Sequence, residues 1–477
     1  MVFGSPNSAP GAVNQPEQAL RRALATGPRS SQALQHALGI SQAGLSRTIQ
    51  KAAPNVIPFR ISGQRTPLYG LLRLLDRTAS RQHMYQINER GEVLPAGIVT
   101  LLVGGQTLVE DTIHGSRLYA GLSPAMTFAA PSGYLGRHAA VRASARIGVP
   151  QSLDDWDDDD RASYLFMLET DAPGDIVFGD EALGQMLEQR KSRVVIKRRD
   201  KAAAYVRFAT DALHAAVGSS AGGQQPKFTA ETEDVGHVIV KFAKEGTRMA
   251  DLLVLEHLAL TSVISSGLPA AKTNILRAGG LMFLESQRFD RVGRFGRLGF
   301  VSAGAFDDEN FGERRSWSDF ADKCQHSRFL DGEQADIIHV FAAFSELIGN
   351  TDTHFENLSL RVDAGGRPIR TAPAYDLLPM RYASQGAGMD PELVPLSPKL
   401  GGLRATPRVW YRAHEAAHRF WENACQDTRV SKEMRVLASK NLDAIDKFVQ
   451  PLIASASPPA ATAVATTSKR ARPRAAR

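Results

Sequence analysis

The chain is organised around residues 347–360, which read Leu347-Ile348-Gly349-Asn350-Thr351-Asp352-Thr353-His354-Phe355-Glu356-Asn357-Leu358-Ser359-Leu360. Within this stretch, Asp352 and Asn357 stand five positions apart, between an apolar helical pattern upstream and an alternating apolar run downstream. The pair alone is a weak signal, because aspartate and asparagine are common in ordinary turns. Its meaning therefore depends on which other polar residues the chain supplies, and in which order.

Length and composition describe an ordinary globular protein. At 477 residues the chain is too long for one compact core, so we expect two or three domains. Hydrophobic residues make up 43% and charged residues 22%, which is typical of soluble proteins. The two cysteines offer neither a disulfide framework nor a metal-ligand spacing. No apolar run approaches a membrane span and the N-terminus lacks the features of a signal peptide, so we expect a cytoplasmic protein.

The positive charge is concentrated towards the two ends of the chain. Residues 17–75 hold eight lysines and arginines against the single Glu17, and the tail from Lys469 holds five more cations. The whole chain has a net charge of +7, so removing these segments, of +7 and +5, leaves −5 for the remainder. This asymmetry predicts a terminus that faces nucleic acid on a mildly acidic body.

The N-terminal region has the pattern of a DNA-binding domain. Residues 1–16 are small, polar and proline-rich, and we expect them to be disordered. Residues 17–78 predict a winged helix-turn-helix, with serine-capped helices at 30–38 and 41–53 and a hairpin at 56–72. The charge excess and the hairpin favour DNA binding over a small helical domain that binds protein. The candidate DNA contacts are Gln42, Ser46, Arg47, Gln50, Arg60 and Arg65.

Residues 80–200 are expected to form a separate, strand-rich region. A β-branched run at 98–103, a Gly104-Gly105 turn and the returning Leu108-Val109 predict two neighbouring strands. An acidic cluster at 154–160 lacks the spacing and the glycine of a calcium-binding loop. We interpret it as a helix start or a linker.

Residues 218–227 form a loop of small residues that ends in a lysine. Small residues let backbone N–H groups approach a polyphosphate closely and tolerate positive φ angles. The loop matches neither of the established phosphate-loop patterns, so by itself it is no better than a flexible turn. The candidate nucleotide contacts in it are Ser220, Gly222, Gly223 and Lys227.

Further polar residues follow the loop in order. Lys241 closes an apolar strand, where it could reach the α- and β-phosphates of ATP or simply be solvated. Glu256 lies in a strongly apolar helix and would pair with Lys241, unless it sits on the wet face of that helix. Glu285 ends a strand that could form the hinge to adenine through backbone groups. Residues 288–291, Arg-Phe-Asp-Arg, could be no more than an ion-pair cluster.

A hairpin is predicted to follow Asn357. An alternating strand, a glycine turn at 364–366 and a second strand lead to Asp376, nineteen residues beyond Asn357. Asn357 and Asp376 would then supply the hard oxygen ligands that Mg²⁺ needs beside nucleotide phosphates. Asp352 would orient or deprotonate an attacking hydroxyl, and Lys241 would balance the phosphate charge.

This ordered series resembles the HipA family of serine/threonine kinases, the toxin components of bacterial toxin–antitoxin systems. The similarity spans about residues 80–450, and the N-terminal domain is similar to a YjjJ-like branch that carries its own DNA-binding module. The motifs that carry the resemblance are residues 219–227, 238–241, 288–291, 350–360 and 373–376.

The resemblance implies an α+β, bilobal fold like that of protein kinases. A β-rich N-terminal subdomain would occupy residues 80–200, and a kinase-like core with C-terminal helices would occupy residues 201–454, after the small winged-helix domain. An aromatic stripe at 410–424 predicts helix packing rather than a ligand site. Residues 455–477 are expected to be a disordered basic tail.

The resemblance also implies ATP and Mg²⁺ as cofactors, with Lys241 as the ATP lysine, Asp352 as the catalytic base, and Asn357 and Asp376 as the metal ligands. Ser220 matches the serine that such kinases autophosphorylate, with Ser219 as the alternative. The implied partners are a protein substrate, by family analogy an aminoacyl-tRNA synthetase, together with DNA and a separate antitoxin. No membrane partner is expected.

Two other functions stay open at this point. The Asp352-x-His354-x-x-Asn357 pattern also suits lipid or small-molecule kinases, although no membrane-binding element is visible. A transcription regulator whose kinase fold only senses a nucleotide or a partner would fit as well. His354 lies after Asp352 rather than before it, so the loop diverges from that of ordinary protein kinases and does not reveal the substrate.

Overall fold

The computed structural model describes residues 15–216, 225–384, 389–404 and 406–454. These residues form an N-terminal unit, a middle unit and a larger C-terminal region in which a four-stranded sheet is followed by a mostly helical part. Each is built around buried apolar residues of its own.

The N-terminal unit consists of α1 (Gln15–Leu24), β1 (Arg29–Ser30), α2 (Ser31–Leu38), α3 (Gln42–Ala52), β2 (Val56–Phe59) and β3 (Leu68–Leu71). Ser30 and Ser41 cap α2 and α3 as predicted, because their side chains accept the backbone N–H groups of Ala33 and Gly44. Gly39 ends α2 with a left-handed φ of 64°. The three strands form an antiparallel sheet in the order β1-β3-β2.

The middle unit consists of β4 (Arg81–Ile87), β5 (Val93–Leu102), β6 (Gln106–Asp111), β7 (Gly115–Ala120), α4 (Pro124–Ala129), α5 (Gly133–Ile147), α6 (Asp158–Met167), β8 (Ile176–Phe178) and α7 (Asp180–Ser192). The predicted strands at 98–103 and 108–109 lie in β5 and β6 of an antiparallel sheet ordered β7-β6-β5-β4-β8. These five strands fit the expected strand-rich region, which in addition contains four helices, and α4, α6 and α7 pack on the sheet. The acidic cluster begins α6 as predicted, with Asp157 and Asp160 forming a capping box.

The β2–β3 hairpin packs on the sheet of the middle unit. Phe59 is buried together with Leu102 and Leu108 of that sheet. At the hairpin tip, Ser62 donates its backbone N–H to the Ser116 carbonyl at 2.8 Å and its hydroxyl to the His114 carbonyl at 3.1 Å. The hairpin is thereby fixed to the turn between β6 and β7.

The C-terminal region begins with α8 (Lys201–Ala216), β9 (Lys227–Thr232), β10 (Gly236–Lys244), α9 (Arg248–Ser265), β11 (Thr273–Ala278) and β12 (Leu281–Gln287). The strands form a sheet in the order β11-β12-β10-β9. Val238 and Val240 pack with Tyr205 of α8, whereas Met282 and Leu284 pack with α9. The sheet therefore carries one helix on each face, and alternate residues of β10 face opposite helices.

The rest of the chain consists of β13 (Arg291–Val292), β14 (Gly296–Arg297), β15 (Phe300–Ser302), α10 (Ala303–Asn310), α11 (Trp317–His326), α12 (Gly332–Ile348), β16 (Ser359–Val362), β17 (Pro368–Thr371), α13 (Pro407–Gln426) and α14 (Lys432–Ile453). The predicted apolar helix is α12, which ends where Gly349 takes a φ of 74°. The aromatic stripe is core, as predicted: Trp410, Phe420 and Trp421 are fully buried. The Trp421 indole N–H donates to the Leu347 carbonyl at 3.0 Å and so links the end of α12 to α13.

Residues 288–291 form the ion-pair cluster that the sequence allowed for. Arg288 contacts Asp171 at 2.7 Å and Asp290 at 2.9 Å, and Arg291 contacts the same two carboxylates at 2.7 and 2.5 Å. Because Asp171 precedes β8, the cluster joins the middle unit to the segment that follows β12. Among the described helices, none is long and apolar enough to cross a membrane.

Candidate active site

The centre of the site is a buried ion cluster around Lys241. The ammonium group of Lys241, on β10, lies 2.7 Å from each carboxylate oxygen of Glu256 on α9. It also donates to the carboxylate of Asp376, which follows β17. Only 9% of the Lys241 side chain and 2% of the Glu256 side chain are exposed. The Lys241–Glu256 pair predicted from the sequence is confirmed, and the solvated alternatives for both residues were wrong.

The electrostatics of the cluster follow from its burial and its charges. Burial alone would lower the pKa of Lys241, but the carboxylates of Asp376 and Glu256 outweigh it and raise that pKa. Burial opposes ionisation of Asp376 as well, yet Lys241 and Lys227 hold the pKa of this carboxyl well below its usual range. Lys241 and Asp376 are therefore both charged at neutral pH.

Lys227 contributes a second cation. It is the direct neighbour of Lys241 across the β9–β10 ladder, so both side chains leave the same face of the sheet. Burial and the like charge of Lys241 lower the pKa of Lys227, although Asp376 attracts its charge. Two crowded ammonium groups on one face suit a ligand that carries several negative charges.

The Asp352 loop, residues 350–357, lies between α12 and β16. The Asn350 side chain accepts the backbone N–H of Asp352 at 3.0 Å, and the Asn357 amide donates to the Asp352 carbonyl at 3.0 Å. The spacing of five thus closes a turn held by Asn357, which is buried. The Asp352 side chain itself is 44% exposed and open to a substrate.

The β16–β17 hairpin brings Asp376 back to this loop. The Tyr375 hydroxyl lies 2.6 Å from both the Glu356 carbonyl and the Ser359 hydroxyl, so the residue beside Asp376 is fastened to the loop. Asp376 has a φ of 52°, a left-handed value that is uncommon outside glycine. Backbone strain of this kind persists where the surrounding structure holds it, and it concentrates at functional sites.

The described residues around Asp376 do not form a metal site built from protein ligands alone. Among the described residues, no group of three or more histidine, cysteine, aspartate or glutamate side chains could hold a metal ion. The residues that could hold Mg²⁺ are the two expected from the sequence, Asn357 and Asp376, whose amide oxygen and carboxylate would be completed by phosphates and water. Asp376 would exchange part of its contact with Lys241 for such an ion.

The prediction that Glu285 contacts a nucleotide was wrong. Glu285 lies in β12 opposite Val240 and Asn274, so strands flank it on both sides and take up its backbone groups. Its side chain faces α8, where it is buried and binds the Tyr205 hydroxyl and the Lys201 ammonium. Lys241 points to the opposite face of the same sheet.

Other predicted residues lie away from this cluster or outside the described chain. Ser219, Ser220, Gly222 and Gly223 fall within residues 217–224, outside the described residues. The six candidate DNA contacts are all exposed: Gln42, Ser46, Arg47 and Gln50 on α3, and Arg60 and Arg65 in the hairpin.

Three contacts to the Asp352 loop were missed from the sequence. Besides Tyr375, the Trp317 indole donates to the His354 carbonyl at 3.2 Å, and Arg314 contacts the Glu356 carboxylate at 2.7 Å. Tyr375 could have been suspected from its place beside Asp376. Arg314 and Trp317 have no sequence signal, because they approach the loop from a segment about forty residues away.

With this geometry established, comparison with known proteins shows the family. Residues 219–446 match the model of the HipA-like C-terminal domain, and residues 78–187 match that of the YjjJ-like toxin, middle domain. Toxin YjjJ of Escherichia coli (strain K12) is 30% identical over 429 residues, which cover 87% of this chain and 95% of that protein. The chain belongs to the YjjJ-like toxins of the HipA family. This confirms the HipA-like and YjjJ-like part of the resemblance stated from the sequence motifs.

A solved HipA structure shares the fold. HipA of Shewanella oneidensis MR-1, in its complex with HipB and operator DNA, superposes with a TM-score of 0.50 at 14% identity, over 79% of this chain and 100% of its own. The predicted combination of helices and sheets is thereby confirmed at the level of the fold. The Helicobacter pylori kinase CtkA aligns over 49% of this chain and 92% of its own, at 14% identity with a TM-score of 0.33.

Proposed function

We propose that this HipA-like toxin is an ATP- and Mg²⁺-dependent serine/threonine protein kinase. The observation that carries the proposal is Lys241, buried between Glu256 and Asp376 with Lys227 beside it. A lysine held by a helix carboxylate next to an acidic metal ligand is the arrangement with which kinases bind ATP phosphates. The strained backbone at Asp376 supports a functional role for this residue.

Each residue of the cluster has a role in this proposal. Lys241 and Lys227 neutralise the phosphates, and Glu256 keeps the Lys241 ammonium directed at them. Asn357 and Asp376 would hold Mg²⁺, which offsets the charge of the transferred phosphoryl group. Asp352, exposed at the loop, accepts the proton of the attacking hydroxyl and orients it.

Incubation with γ-labelled ATP tests the proposal. Wild-type protein added to a bacterial lysate should label protein, whereas Asp352→Ala and Asp376→Asn should not, with unchanged circular dichroism. Asp154→Ala, which removes an exposed carboxylate of the middle unit, is the matched control and should label normally. Full labelling by both active-site variants would end the proposal.

The same experiment identifies the substrate class. Label in protein bands supports a protein kinase, and their identification shows whether an aminoacyl-tRNA synthetase is among them. Label confined to lipid or metabolite extracts would favour the lipid or small-molecule kinase instead. Mass spectrometry of the protein itself tests autophosphorylation at Ser220 or Ser219, with Ser220→Ala and Ser219→Ala as the two arms.

We further propose that residues 17–78 are a winged helix-turn-helix that binds DNA. Two features support this: α3 leaves Gln42, Ser46, Arg47 and Gln50 exposed, and the segment carries an excess of cations. Because the hairpin packs on the middle unit, α3 would provide the main contact, with Arg60 and Arg65 reaching the phosphates beside it.

Binding of genomic DNA fragments tests this second proposal. Affinity should fall steeply with salt, and Arg47→Ala should weaken binding, whereas Arg22→Ala on the exposed face of α1 should weaken it less. DNA binding without any phosphoryl transfer would favour a nucleotide-sensing regulator. Equal affinity of wild type and Arg47→Ala at every salt concentration would contradict the role of α3.

An antitoxin partner and a cytoplasmic location complete the proposed function. HipA in the structural comparison was captured with HipB and operator DNA, which supports a search for a separate antitoxin of this chain. Purification of the tagged protein from its host, with and without nuclease, would show whether a small protein accompanies it through protein contacts.

A further inference from the structure

The linker between α10 and α11, residues 311–316, contacts the Asp352 loop through one side chain. The Arg314 guanidinium donates to Glu356 Oε1 at 2.7 Å. The same group forms a two-pronged pair with Asp308 of α10, at 2.7 Å from Nε and 2.5 Å from Nη2. Arg314 therefore ties the loop to α10.

A line of polar side chains continues from Glu356 to Asp352. The second carboxylate oxygen of Glu356 lies 3.4 Å from His354 Nδ1, and His354 Nε2 lies 3.6 Å from Asp352 Oδ1. Glu356 thus faces a guanidinium on one side and an imidazole on the other. A shift of the Glu356 side chain would therefore displace the His354 ring and, through it, the Asp352 side chain.

The linker holds Arg314 in a defined place. The buried carboxylate of Asp307 accepts the backbone N–H groups of Glu313 at 2.8 Å and of Arg314 at 2.9 Å. These bonds fix Arg314 at a φ of 40°, a left-handed value that a large side chain rarely adopts. Strain of this kind is retained only where surrounding contacts impose it.

Gly304 of α10 provides the space for the Arg314–Glu356 contact. A Cβ atom at this position would lie 2.4 Å from Glu356 Oε1 and 3.0 Å from Arg314 Nη2. Both neighbours are the ends of flexible side chains, so an added methyl group would push the ion pair apart without opening the core. Glycine is otherwise the weaker choice inside a helix.

Global stability does not explain this arrangement. The side chains of Arg314 and Glu356 are 40% and 52% exposed, and ion pairs with that exposure add little to the free energy of unfolding. What the pair does provide is a link between α10 and the loop that carries Asp352.

We propose that Arg314 is a positioning residue for phosphoryl transfer, which acts through Glu356 and His354 to hold Asp352 against the substrate hydroxyl. The inference rests on the kinase function proposed above. Arg314 touches neither Lys241 nor Asp376 in this structure, so its removal should impair turnover and leave ATP binding intact.

Kinetics of four variants test the inference, with labelled ATP and the protein substrate or the autophosphorylation reaction as readout. Arg314→Ala should lower kcat by roughly 10- to 100-fold, the loss expected when a catalytic group moves by about 1 Å, with KM for ATP within about two-fold of wild type. Gly304→Ala should lower kcat similarly, although it keeps every charge. Arg314→Lys keeps a cation that can form one ion pair, so its kcat should lie between those of Arg314→Ala and the wild type.

Arg315→Ala is the matched control, because Arg315 pairs with Glu313 and not with the loop. It should keep the wild-type kcat. Wild-type turnover in Arg314→Ala or in Gly304→Ala, or a loss in Arg315→Ala as large as in Arg314→Ala, would overturn the inference while leaving the kinase itself established. If the wild-type protein transfers no phosphate at all, the proposed function fails first and this inference with it.

Discussion

Replacing Lys241 by methionine removes the cation that contacts both Glu256 and Asp376. The change keeps most of the side-chain volume, so its main effect is electrostatic: the Glu256 carboxylate, only 2% exposed, loses both of its contacts to the ammonium group. Stranding one partner of a buried ion pair costs about 3–5 kcal/mol. Lys227 still supplies one cation on the same face of the sheet, so we expect a value near the lower end, about 3 kcal/mol.

Urea unfolding measures this cost. Three of the four tryptophans, Trp317, Trp410 and Trp421, are buried in the core that α9 shares with the C-terminal helices, so most of the indole fluorescence follows the unfolding of this region. Adding Glu256→Gln to Lys241→Met removes the stranded charge and should recover at least about 1 kcal/mol. The exposed Lys244 of the same strand gives the control, and Lys244→Met should change stability by less than about 0.5 kcal/mol. A cost below about 1 kcal/mol for Lys241→Met, or a further loss in the double variant, would refute the argument.

Three further predictions concern the core, the N-terminal unit and pH. Phe344→Ala empties a fully buried position of α12 and should cost about 3–5 kcal/mol in the same unfolding assay, whereas Tyr411→Ala, at an exposed position of α13, should cost far less. Ser41→Ala removes the cap that accepts the Gly44 N–H and should cost about 1 kcal/mol of N-terminal stability; a helix signal in circular dichroism that melts at the wild-type temperature would contradict it. Burial lowers the pKa of His237 from 6.5 to about 4, so the unfolded chain binds a proton more readily between these values and stability should fall as the pH drops from about 6.5 towards 4. His237→Gln should show a shallower fall over that range, and an identical pH dependence would exclude His237 as its source.

Structural features that depend only on residues close together in the sequence could be predicted. Serine caps correctly predicted where α2 and α3 begin, and the apolar periodicity and the following glycine correctly predicted α12. These signals are reliable because caps and periodicity act within a few residues. The helices of the middle unit, apart from the start of α6, were not predicted, because they bury small and mixed residues and lack a clean apolar stripe. In α5, for example, alanines and a glycine supply much of the buried face.

The error at Glu285 has a different cause. Alternation within β12 gives the relative faces of its own residues, but it does not relate them to Lys241 on another strand. Only the pairing of Glu285 with Val240, and of Leu284 with Lys241, decides that Glu285 faces α8.

The order of the site residues could be read from the sequence alone: Lys241, Glu256, the Asp352–Asn357 spacing and Asp376. Which of these residues are in contact, and which other residues hold them in place, depends on the tertiary structure. The ion cluster joins residues 135 positions apart, and Arg314 reaches Glu356 across 42. Contacts over such separations depend on how whole helices and strands pack, and that packing is set by the buried core rather than by the local pattern around any one charged residue.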